Sequence, residues 1–370
     1  MNKTKKVLIF TRHIIPGGVE RFLLNIFREF NNNPNQFTFY ITHTTDNIIE
    51  PINTRLHYIL VKTKSKLWFD YVLSLKYIFK IKPDIIIYPI NIIPFTHYFI
   101  RKPRFNIMYD LGYFVPELNA YKTADTLYMK TFIPFSCRVS TKTFSISEAT
   151  KTDLVTRLKI KSERIIVCPL AVEPLFRVIG KHEAYQHLAE KYKVSAPLLF
   201  YAGSLTPRKN LKNIILAFNK ISDKVNHILC LTGNIAWKSA EIDTLLAQIP
   251  EHRKLLTGNI SEEELVLFYN AADVFLYPSL YEGFGLPILE AQACGCPVLT
   301  SNVTSCPEVA GDSAHIVNPN QITEISEGIL KIISDQTYKN SLIAKGFNNI
   351  KRYSWRQTSQ IILNTIDTNS

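Results

Sequence analysis

Residues 274–301, VFLYPSLYEGFGLPILEAQACGCPVLTS, decide the fold of this chain. An apolar run of strand length begins at Val274, a glycine-rich loop follows it, and Pro287 is well placed as the first residue of a helix. A second apolar run, residues 297–301, closes the unit. A buried strand, a helix and another buried strand in this order are typical of a βαβ crossover, and therefore of a parallel sheet.

The same alternation of strands and helices continues through the rest of the chain. Further strands are predicted at residues 6–11, 37–42, 56–61, 84–90, 106–110, 142–147, 164–168, 197–202, 227–232, 255–257 and 315–318. Further helices are predicted at residues 19–30, 66–81, 148–158, 210–221, 243–248, 322–334, 336–353 and 355–366. Ser261 followed three residues later by Glu264 forms a capping box, which predicts one more helix start.

The polar segment 172–196 has little strand character and lies where the alternation restarts, so we interpret it as a linker. The sequence therefore predicts two doubly wound Rossmann-like α/β domains, residues 1–175 and 176–352. Residues 353–370 are predicted to form a C-terminal helix that crosses back to the N-terminal domain.

The composition indicates a globular protein of a reducing compartment. The chain has 370 residues, 46% hydrophobic and 20% charged, which excludes intrinsic disorder. Its six cysteines are spread widely, mostly inside apolar runs, so we predict buried thiols rather than a disulfide framework or a zinc site. The apolar run at the N-terminus is too short for a signal peptide, and residues 85–100 fall short of the ~20 apolar residues that span a bilayer. We therefore expect a cytoplasmic location.

The net charge of +12 is placed unevenly. Residues 1–180 carry +13 and residues 181–370 carry −1. A basic half attracts phosphorylated small molecules, nucleic acid or an anionic membrane, although lysine-rich surfaces are also common without any partner. No recognition helix, zinc spacing or stacking motif favours nucleic acid. Peripheral contact with an anionic membrane is one hypothesis for this half, with Arg101, Lys102 and Arg104 as candidate contacts, and with Trp68, Phe69 and Tyr71 either entering the interface or packing in the core.

Two loops that follow predicted strands combine glycine with a helix start, the place where open parallel sheets bind ligands. Gly17 and Gly18 follow the first strand, and a helix N-terminus there offers unpaired N–H groups. Gly203 follows the strand 198–202 and precedes Arg208 and Lys209 at the next helix. Arg as a bidentate fork and Lys as a point charge can hold a diphosphate without a divalent ion. An ordinary glycine turn and a solvated basic turn are the alternatives.

The third such loop is the one quoted at the outset. Glu282 lies in the loop, and Glu290 lies about one turn inside the helix that follows. A carboxylate accepts hydrogen bonds from vicinal hydroxyls such as those of a sugar or a ribose. Glu290 as a helix N-terminal acid and Glu282 as a surface charge are the alternatives, but they leave the crowded Gly283 and Gly285 unexplained.

With these motifs the chain resembles a known family, the retaining glycosyltransferases of family 4, also called group 1 glycosyltransferases. The run YPSLYEGFGLPILEAQACGCPVLTSNVTSCPEVAGDSAHIVNP is similar to the family signature with its two glutamates eight positions apart. YAGSLTPRKNLKNIILAF resembles the donor-phosphate loop, and FSISEATKTDLV resembles the segment that closes the N-terminal domain. The resemblance covers nearly all of residues 140–335 and implies the GT-B fold, two Rossmann-like domains that face each other across a cleft.

The resemblance also implies roles for individual residues. Glu290 would hold the ribose of a nucleotide sugar, and Glu282 would contact hydroxyls of the transferred sugar. Arg208 and Lys209 would neutralise the diphosphate leaving group. The remaining positions would line the donor site through glycine or backbone N–H groups, namely Gly17, Gly18, Gly203, Gly283, Phe284, Gly285 and Leu286. The family needs no metal or cofactor beyond its nucleotide-sugar substrate.

One position departs from the family pattern. Many members carry His-Asp at the end of a strand in the N-terminal domain, whereas this chain has Tyr109-Asp110. Asp110 is expected near the reacting sugar, and Tyr109 is either functional or a packing residue. Whether a carboxylate attacks the sugar or the leaving phosphate assists attack from the same face stays open.

The sequence thus predicts a retaining hexosyltransferase with a GDP- or UDP-sugar donor. The expected acceptor is a glycan or a polyprenyl-diphosphate-linked glycan of bacterial surface polysaccharide or lipopolysaccharide. A sugar-nucleotide epimerase or glycoside phosphorylase of the same architecture, or a non-catalytic nucleotide-binding module, is the alternative.

Overall fold

The computed structural model describes residues 4–11, 18–32, 37–44, 56–63, 65–118, 121–204, 206–233 and 240–370. The chain divides into two compact units. Unit 1 comprises Met1–Phe114, Tyr121–Leu170 and Ser354–Ser370, and unit 2 comprises Val115–Ala120 and Ala171–Tyr353. The main boundaries between the units therefore follow residues 170 and 353. The sequence analysis predicted them after residues 175 and 352.

Unit 1 is built on a parallel sheet. Its strands are β1 (Lys5–Phe10), β2 (Phe37–His43), β3 (Leu56–Leu60), β4 (Ile85–Tyr88), β5 (Arg104–Met108), β6 (Lys142–Ser145) and β7 (Ile165–Val167). Their order across the sheet is β3-β2-β1-β4-β5-β6-β7, and every neighbouring pair is parallel. Between them lie α1 (Gly18–Asn32), α2 (Lys66–Trp68), a π-helical turn (Phe69–Leu73), α3 (Ser74–Ile81), α4 (Thr123–Val139) and α5 (Glu148–Leu158).

Unit 2 repeats this plan. Its strands are β8 (Leu198–Ala202), β9 (Ile228–Thr232), β10 (Lys254–Gly258), β11 (Val274–Tyr277), β12 (Val298–Ser301) and β13 (His315–Val317). They form a parallel sheet in the order β10-β9-β8-β11-β12-β13. Its helices are α6 (Lys181–Tyr192), α7 (Leu211–Ile221), α8 (Ala240–Ala247), α9 (Glu262–Ala271), α10 (Leu286–Ala293), α11 (Cys306–Ala310), α12 (Ile322–Ser334) and α13 (Gln336–Asn349).

The last helix, α14 (Trp355–Thr368), belongs to unit 1. It packs against α1, and the Trp355 ring meets the Phe22 ring edge-on with centroids 5.9 Å apart. An ion pair joins Lys5 Nζ to Asp367 Oδ1 at 3.2 Å. Helix α14 therefore covers the face of unit 1 that α1 occupies.

Continuous apolar strands explain why both sheets are parallel. Every residue of β4, β8, β9, β11 and β12 is buried. A strand without an exposed face needs helices on both sides of its sheet, which βαβ crossovers supply. The predicted α/β class follows from this pattern and is confirmed.

Several local predictions can be compared with the structure. The capping box of α9 is present, with Ser261 and Glu264 each accepting from the other's backbone N–H, so that prediction is confirmed. The linker prediction for residues 172–196 is wrong, because α6 occupies half of that segment. Helix α6 buries only Ala184 and Leu188, so its apolar stripe is too narrow to be recognised.

All six cysteines are free and buried, as predicted. Burial raises the pKa of the Cys137 and Cys306 thiols to about 11, which leaves both unreactive at neutral pH. Among the helices that the structure describes, none is long and apolar enough to cross a membrane.

Candidate functional site

The loops after β8 and β11 meet at the carboxyl edge of the second sheet, where these two strands are neighbours. The Leu280 N–H donates to the Arg208 carbonyl at 2.8 Å. Asn210, with a left-handed φ of 63°, donates from Nδ2 to the Pro278 carbonyl at 2.9 Å and to the Pro319 carbonyl at 2.7 Å. These bonds hold the basic loop against the glutamate loop.

The structure joins Arg208, Lys209 and Glu282 in one ion cluster. Lys209 Nζ lies 2.6 Å from Glu282 Oε1, and Arg208 Nη1 lies 3.0 Å from Glu282 Oε2. Lys209 is 8% exposed and Glu282 is 6% exposed. Both oxygens of one buried carboxylate are therefore engaged by two different cations.

The electrostatics of the cluster favour the ionised carboxylate. Burial alone would raise the pKa of Glu282, but Lys209 and Arg208 outweigh it and lower that pKa to about 2. Burial also lowers the pKa of Lys209, an effect that the Glu282 carboxylate opposes. Two cations and one carboxylate leave a formal excess of one positive charge, fixed in a site largely shielded from water.

Tyr277, the last residue of β11, completes the cluster and was missed by the sequence analysis. Lys209 Nζ donates to the Tyr277 hydroxyl at 2.8 Å and lies 4.9 Å from the centre of its ring. The ammonium of Lys209 is thus held from two sides, by a carboxylate and by a phenol. A tyrosine at a strand end carries no sequence signal for this role, because such a residue is usually core.

Gly203 and Gly285 lie against the same cluster. A β-carbon on Gly203 would be 3.9 Å from Lys209 Cε, and one on Gly285 would be 3.8 Å from the Tyr277 ring. Gly285 has a φ of 101° and directly precedes α10, so a side chain there would strain the backbone. Gly233 packs against Gly203. A β-carbon on Gly233 would lie 2.0 Å from the Gly203 carbonyl oxygen, so only glycine fits there. Gly233 is a second position that the sequence analysis missed.

The remaining loop residues lead into α10. Ser305 Oγ donates to the carbonyls of Glu282, at 3.0 Å, and Phe284, at 2.7 Å. Phe284 is buried, with its ring edge-on to Tyr353 at 5.6 Å. Gly283 lies between Glu282 and Phe284, and Leu286 begins the helix. The first turn of a helix has N–H groups without intrahelical acceptors, but here Pro287 has no N–H and the Ile288 N–H donates to the Gly285 carbonyl at 2.9 Å.

Glu290 lies one turn inside α10 and is 2% exposed. The Tyr269 hydroxyl donates to Glu290 Oε2 at 3.1 Å. The two predicted glutamates therefore have different surroundings, since Glu282 is held by cations and Glu290 accepts from a phenol. Tyr269 is a third residue that the sequence analysis did not single out.

The predicted residues of the N-terminal half lie in unit 1. Gly18 begins α1, and Gly17 lies outside the described residues. Asp110 follows β5, and its Oδ1 accepts from the Gly112 N–H at 2.9 Å in a tight turn. Tyr109 packs edge-on against Phe22, with ring centroids 5.9 Å apart, which favours the packing alternative.

Three ligand-type side chains would be needed to hold a metal ion, and within the described parts of the chain no group of His, Cys, Asp or Glu meets that requirement. The cluster of Arg208, Lys209 and Glu282 is instead suited to an anion. Fixed cations beside a helix N-terminus favour a phosphate or diphosphate.

Known proteins resemble this chain in sequence and in fold. Residues 186–349 match the family described as Glycosyl transferases group 1. Over 244 residues the chain is 32% identical to the O-antigen chain mannosyltransferase B of Escherichia coli, covering 64% of this chain and 63% of that protein. It is 29% identical to the serotype-specific mannosyltransferase WbdA of Escherichia coli, covering 60% of this chain and 28% of that protein. The chain thus spans less than two thirds of the length of either relative.

Among solved structures, Alr3699/HepE of Anabaena in complex with UDP and glucose is similar, with a TM-score of 0.78. The two sequences are 18% identical, and the match covers 98% of this chain and all of that one. This likeness concerns the fold, and the predicted GT-B fold with two doubly wound sheets is confirmed.

Proposed function

We propose that the chain is a hexosyltransferase, because residues 186–349 match the family described as Glycosyl transferases group 1. The donor is a nucleoside diphosphate sugar, and the acceptor is a glycan or a polyprenyl-diphosphate-linked glycan. Mannose is the first candidate sugar, because two similar proteins are named mannosyltransferases. The same names support a role in bacterial surface polysaccharide assembly.

The observation that carries the proposal is the pair of cations fixed by Glu282. Glycosyl transfer breaks the bond between the sugar C1 and a diphosphate oxygen, so negative charge develops on the departing diphosphate. Arg208 and Lys209 are already positioned and largely desolvated, which makes them more effective there than mobile surface cations. Because the charge grows along the reaction, they stabilise the transition state more than the bound donor.

The second part of the proposal concerns the two glutamates. Glu282 positions both cations and retains lone pairs for a hydroxyl of the transferred sugar. Glu290 accepts from the ribose hydroxyls, and the Tyr269 hydroxyl orients its carboxylate. Backbone N–H groups from Gly283 to Leu286 bind phosphate or sugar oxygens. Asp110 orients the reacting sugar or the acceptor.

We propose further that transfer proceeds with retention at C1 and without a metal ion. The cation pair supplies the charge that Mg²⁺ provides to a diphosphate in other enzymes. Retention is the property of the family that the chain resembles.

Release of nucleoside diphosphate tests the proposal directly. The purified chain is incubated with GDP-, UDP- and dTDP-sugars, first without acceptor and then with a synthetic polyprenyl-diphosphate-linked oligosaccharide. We expect slow hydrolysis of one donor and much faster release with acceptor, unchanged by EDTA. NMR of the product is expected to show the anomeric configuration of the donor.

The alternatives predict other products. An epimerase would convert one sugar nucleotide into another, a phosphorylase would require inorganic phosphate, and a binding module would leave every donor intact. Any of these results contradicts the proposal.

A further inference from the structure

One threonine of unit 2 has a backbone conformation that threonine rarely adopts. Thr304, in the turn between β12 and α11, has a left-handed φ of 55°. Four other non-glycine residues in the described parts of the chain have a positive φ, namely Lys82, Lys159, Lys193 and Asn210. Lysine and asparagine are not branched at Cβ, whereas threonine is, and a branched residue is crowded in this conformation. Thr304 is therefore strained, and its surroundings must compensate for the strain.

The Thr304 side chain contacts the glutamate loop, 22 residues earlier in the sequence. Its Oγ1 accepts a hydrogen bond from the Glu282 N–H at 3.1 Å. The next residue, Ser305, is buried, and its Oγ donates to the Glu282 carbonyl at 3.0 Å. Two adjacent hydroxyls thus engage the N–H and the C=O of the same residue. We call Thr304 and Ser305 the hydroxyl clamp.

The hydroxyl clamp acts where the backbone of the loop is least constrained by its own sequence. Residues 278–285 form neither a strand nor a helix, and Gly283 directly follows Glu282. Glycine restricts backbone rotation least of all residues. On the other side of Glu282, Arg208 Nη1 donates to the Tyr281 carbonyl at 3.2 Å. The backbone of Glu282 is therefore held from one side by Arg208 and from the other by the hydroxyl clamp.

The backbone position of Glu282 in turn determines where two cations lie. Its carboxylate is 2.6 Å from Lys209 Nζ through Oε1 and 3.0 Å from Arg208 Nη1 through Oε2. Because both oxygens are at contact distance, a shift of the Glu282 Cα would displace the cations or break one of the ion pairs. The Thr304 hydroxyl is therefore linked to the charge arrangement of the site through a single backbone N–H.

The strain at Thr304 is explained by this hydroxyl. Glycine would adopt the same φ without strain, but it has no side chain to accept from the Glu282 N–H. Serine would supply the acceptor with less crowding, and valine would have the crowding without the acceptor. Among these residues, a branched side chain that is held in a left-handed conformation and bonded through its hydroxyl indicates that the bond is what the surroundings preserve.

We propose that Thr304 is a positioning residue for glycosyl transfer, which acts through the Glu282 backbone on Arg208 and Lys209. The inference rests on the proposed function, in which these two cations stabilise the departing diphosphate. Thr304 Oγ1 accepts from the glutamate loop, and the charges that it positions act mainly in the transition state. Loss of the hydroxyl is therefore expected to lower kcat with little change in KM.

Three substitutions at residue 304 separate the hydroxyl from the strain. Thr304→Ser keeps the hydroxyl, Thr304→Val keeps the branched shape without it, and Thr304→Gly removes both the hydroxyl and the strain. We expect kcat within about twofold of the wild type for Thr304→Ser, and a fall of about 10- to 10²-fold for the other two, with KM within about twofold. Thr143→Val removes a buried hydroxyl that donates to Asn106 in unit 1, and it is the control with unchanged kcat.

Thermal unfolding distinguishes positioning from a purely structural role. Thr304→Gly relieves the strain, so it is expected to be at least as stable as Thr304→Val and yet equally slow. If kcat instead follows the melting temperature across the series, the proposal is overturned. A wild-type kcat in Thr304→Gly, or a rise in KM as large as the fall in kcat, has the same consequence.

Amide hydrogen exchange tests the hydrogen bond without any substrate. The Glu282 amide is expected to exchange about tenfold faster or more in Thr304→Val than in the wild type, and at the wild-type rate in Thr304→Ser. Unchanged exchange in Thr304→Val would contradict the positioning role. If the exchange rates differ as expected but the wild type releases no nucleoside diphosphate from any donor, the proposed function fails instead, so the two failures are distinguishable.

Discussion

The two ends of strand β11 carry ion clusters of the same construction but with different surroundings. At its carboxyl end Glu282 is held by Arg208 and Lys209, as described above. At its amino end Asp273 Oδ1 accepts from Lys181 at 2.6 Å and from Lys339. His227 Nε2 lies 3.3 Å from Asp273 Oδ2. Despite the opposing effect of burial, these partners hold the pKa of Asp273 well below its usual range.

What differs is the backbone around each cluster. The Asp273 cluster ties α6 and α13 to the sheet, and its Lys181 side chain is 53% exposed. The Glu282 cluster lies beside Gly203 and Gly285 and beside the N-terminus of α10, where a ligand can approach the backbone. A carboxylate among cations is therefore not by itself a site. Its position at the carboxyl end of parallel strands, with glycines and a helix start, distinguishes the functional cluster.

The largest expected effect is a fall in kcat, and it is expected when one lysine is removed at the carboxyl end of β11 but not at the amino end. Lys209→Met is expected to lower kcat by about 10²- to 10³-fold, because it removes a fixed charge from the leaving group. Lys339→Met removes from Asp273 a lysine whose side chain is 12% exposed, against 10% for Lys209, and is expected to leave kcat within about twofold. Both variants are expected to lose stability, because each leaves a carboxylate with fewer cations. Nucleoside diphosphate release and thermal unfolding measure the two effects.

If Lys209→Met does not fold, Arg208→Ala provides the same test at a more exposed position, with a similar loss of kcat expected. Equal kcat for the Lys209 and Lys339 variants would show that the two clusters are both structural.

A smaller effect is expected on the free energy of unfolding in acid, when the carboxylate of either ion cluster is replaced by an amide. Glu282 has a folded pKa of about 2 against an ordinary value of 4.5, so its contribution is fully present above pH 4.5. That contribution is lost as the pH falls towards 2, by up to about 3 kcal/mol. Glu282→Gln and Asp273→Asn should each flatten the fall of unfolding free energy over this window, as measured by urea titration. Only Glu282→Gln should also lower kcat at neutral pH, and an unchanged slope in both would contradict the assigned ion pairs.

The smallest expected effect tests how Lys209 is positioned. Tyr277→Phe removes the hydroxyl that accepts from Lys209 Nζ, and a hydrogen bond of this kind contributes about 0.5–1.5 kcal/mol. We expect kcat to fall about two- to tenfold with KM unchanged, since the donor itself loses no contact. Tyr338→Phe removes a hydroxyl bonded to His315 elsewhere in unit 2 and serves as the control. A rise in KM instead would mean that the Tyr277 hydroxyl touches the donor.

Strand patterns predicted most of the fold because buried parallel strands have no polar face. The runs around β4, β8 and β11 are apolar throughout. The local sequence was therefore enough to predict both these strands and their parallel pairing. Helix α4 was missed because it contains Pro134 and has no strong apolar stripe. Packing against neighbouring elements, rather than local preference, makes this segment helical.

The candidate site was predicted as a set of residues but not as an arrangement. Adjacent Arg208 and Lys209 and the loop glutamate stand out in the sequence because charge beside glycine is unusual at a strand end. Their pairing through Glu282 could not be read, because it joins loops 73 residues apart. The contact of Tyr277 with Lys209 and that of Gly233 with Gly203 could not be predicted either, because in each case the two residues are far apart in the sequence.

Helix α14 imposes an order on biosynthesis. Residues 354–370 complete the unit that contains residues 1–114, yet the whole of residues 171–353 is translated before them. On the ribosome, the surface of α1 that packs against α14, with its Phe22 ring, therefore stays uncovered while the second sheet is made. A nascent chain halted before Trp355 would expose that surface to chaperones, and the surface is covered only once residues 354–370 have been made.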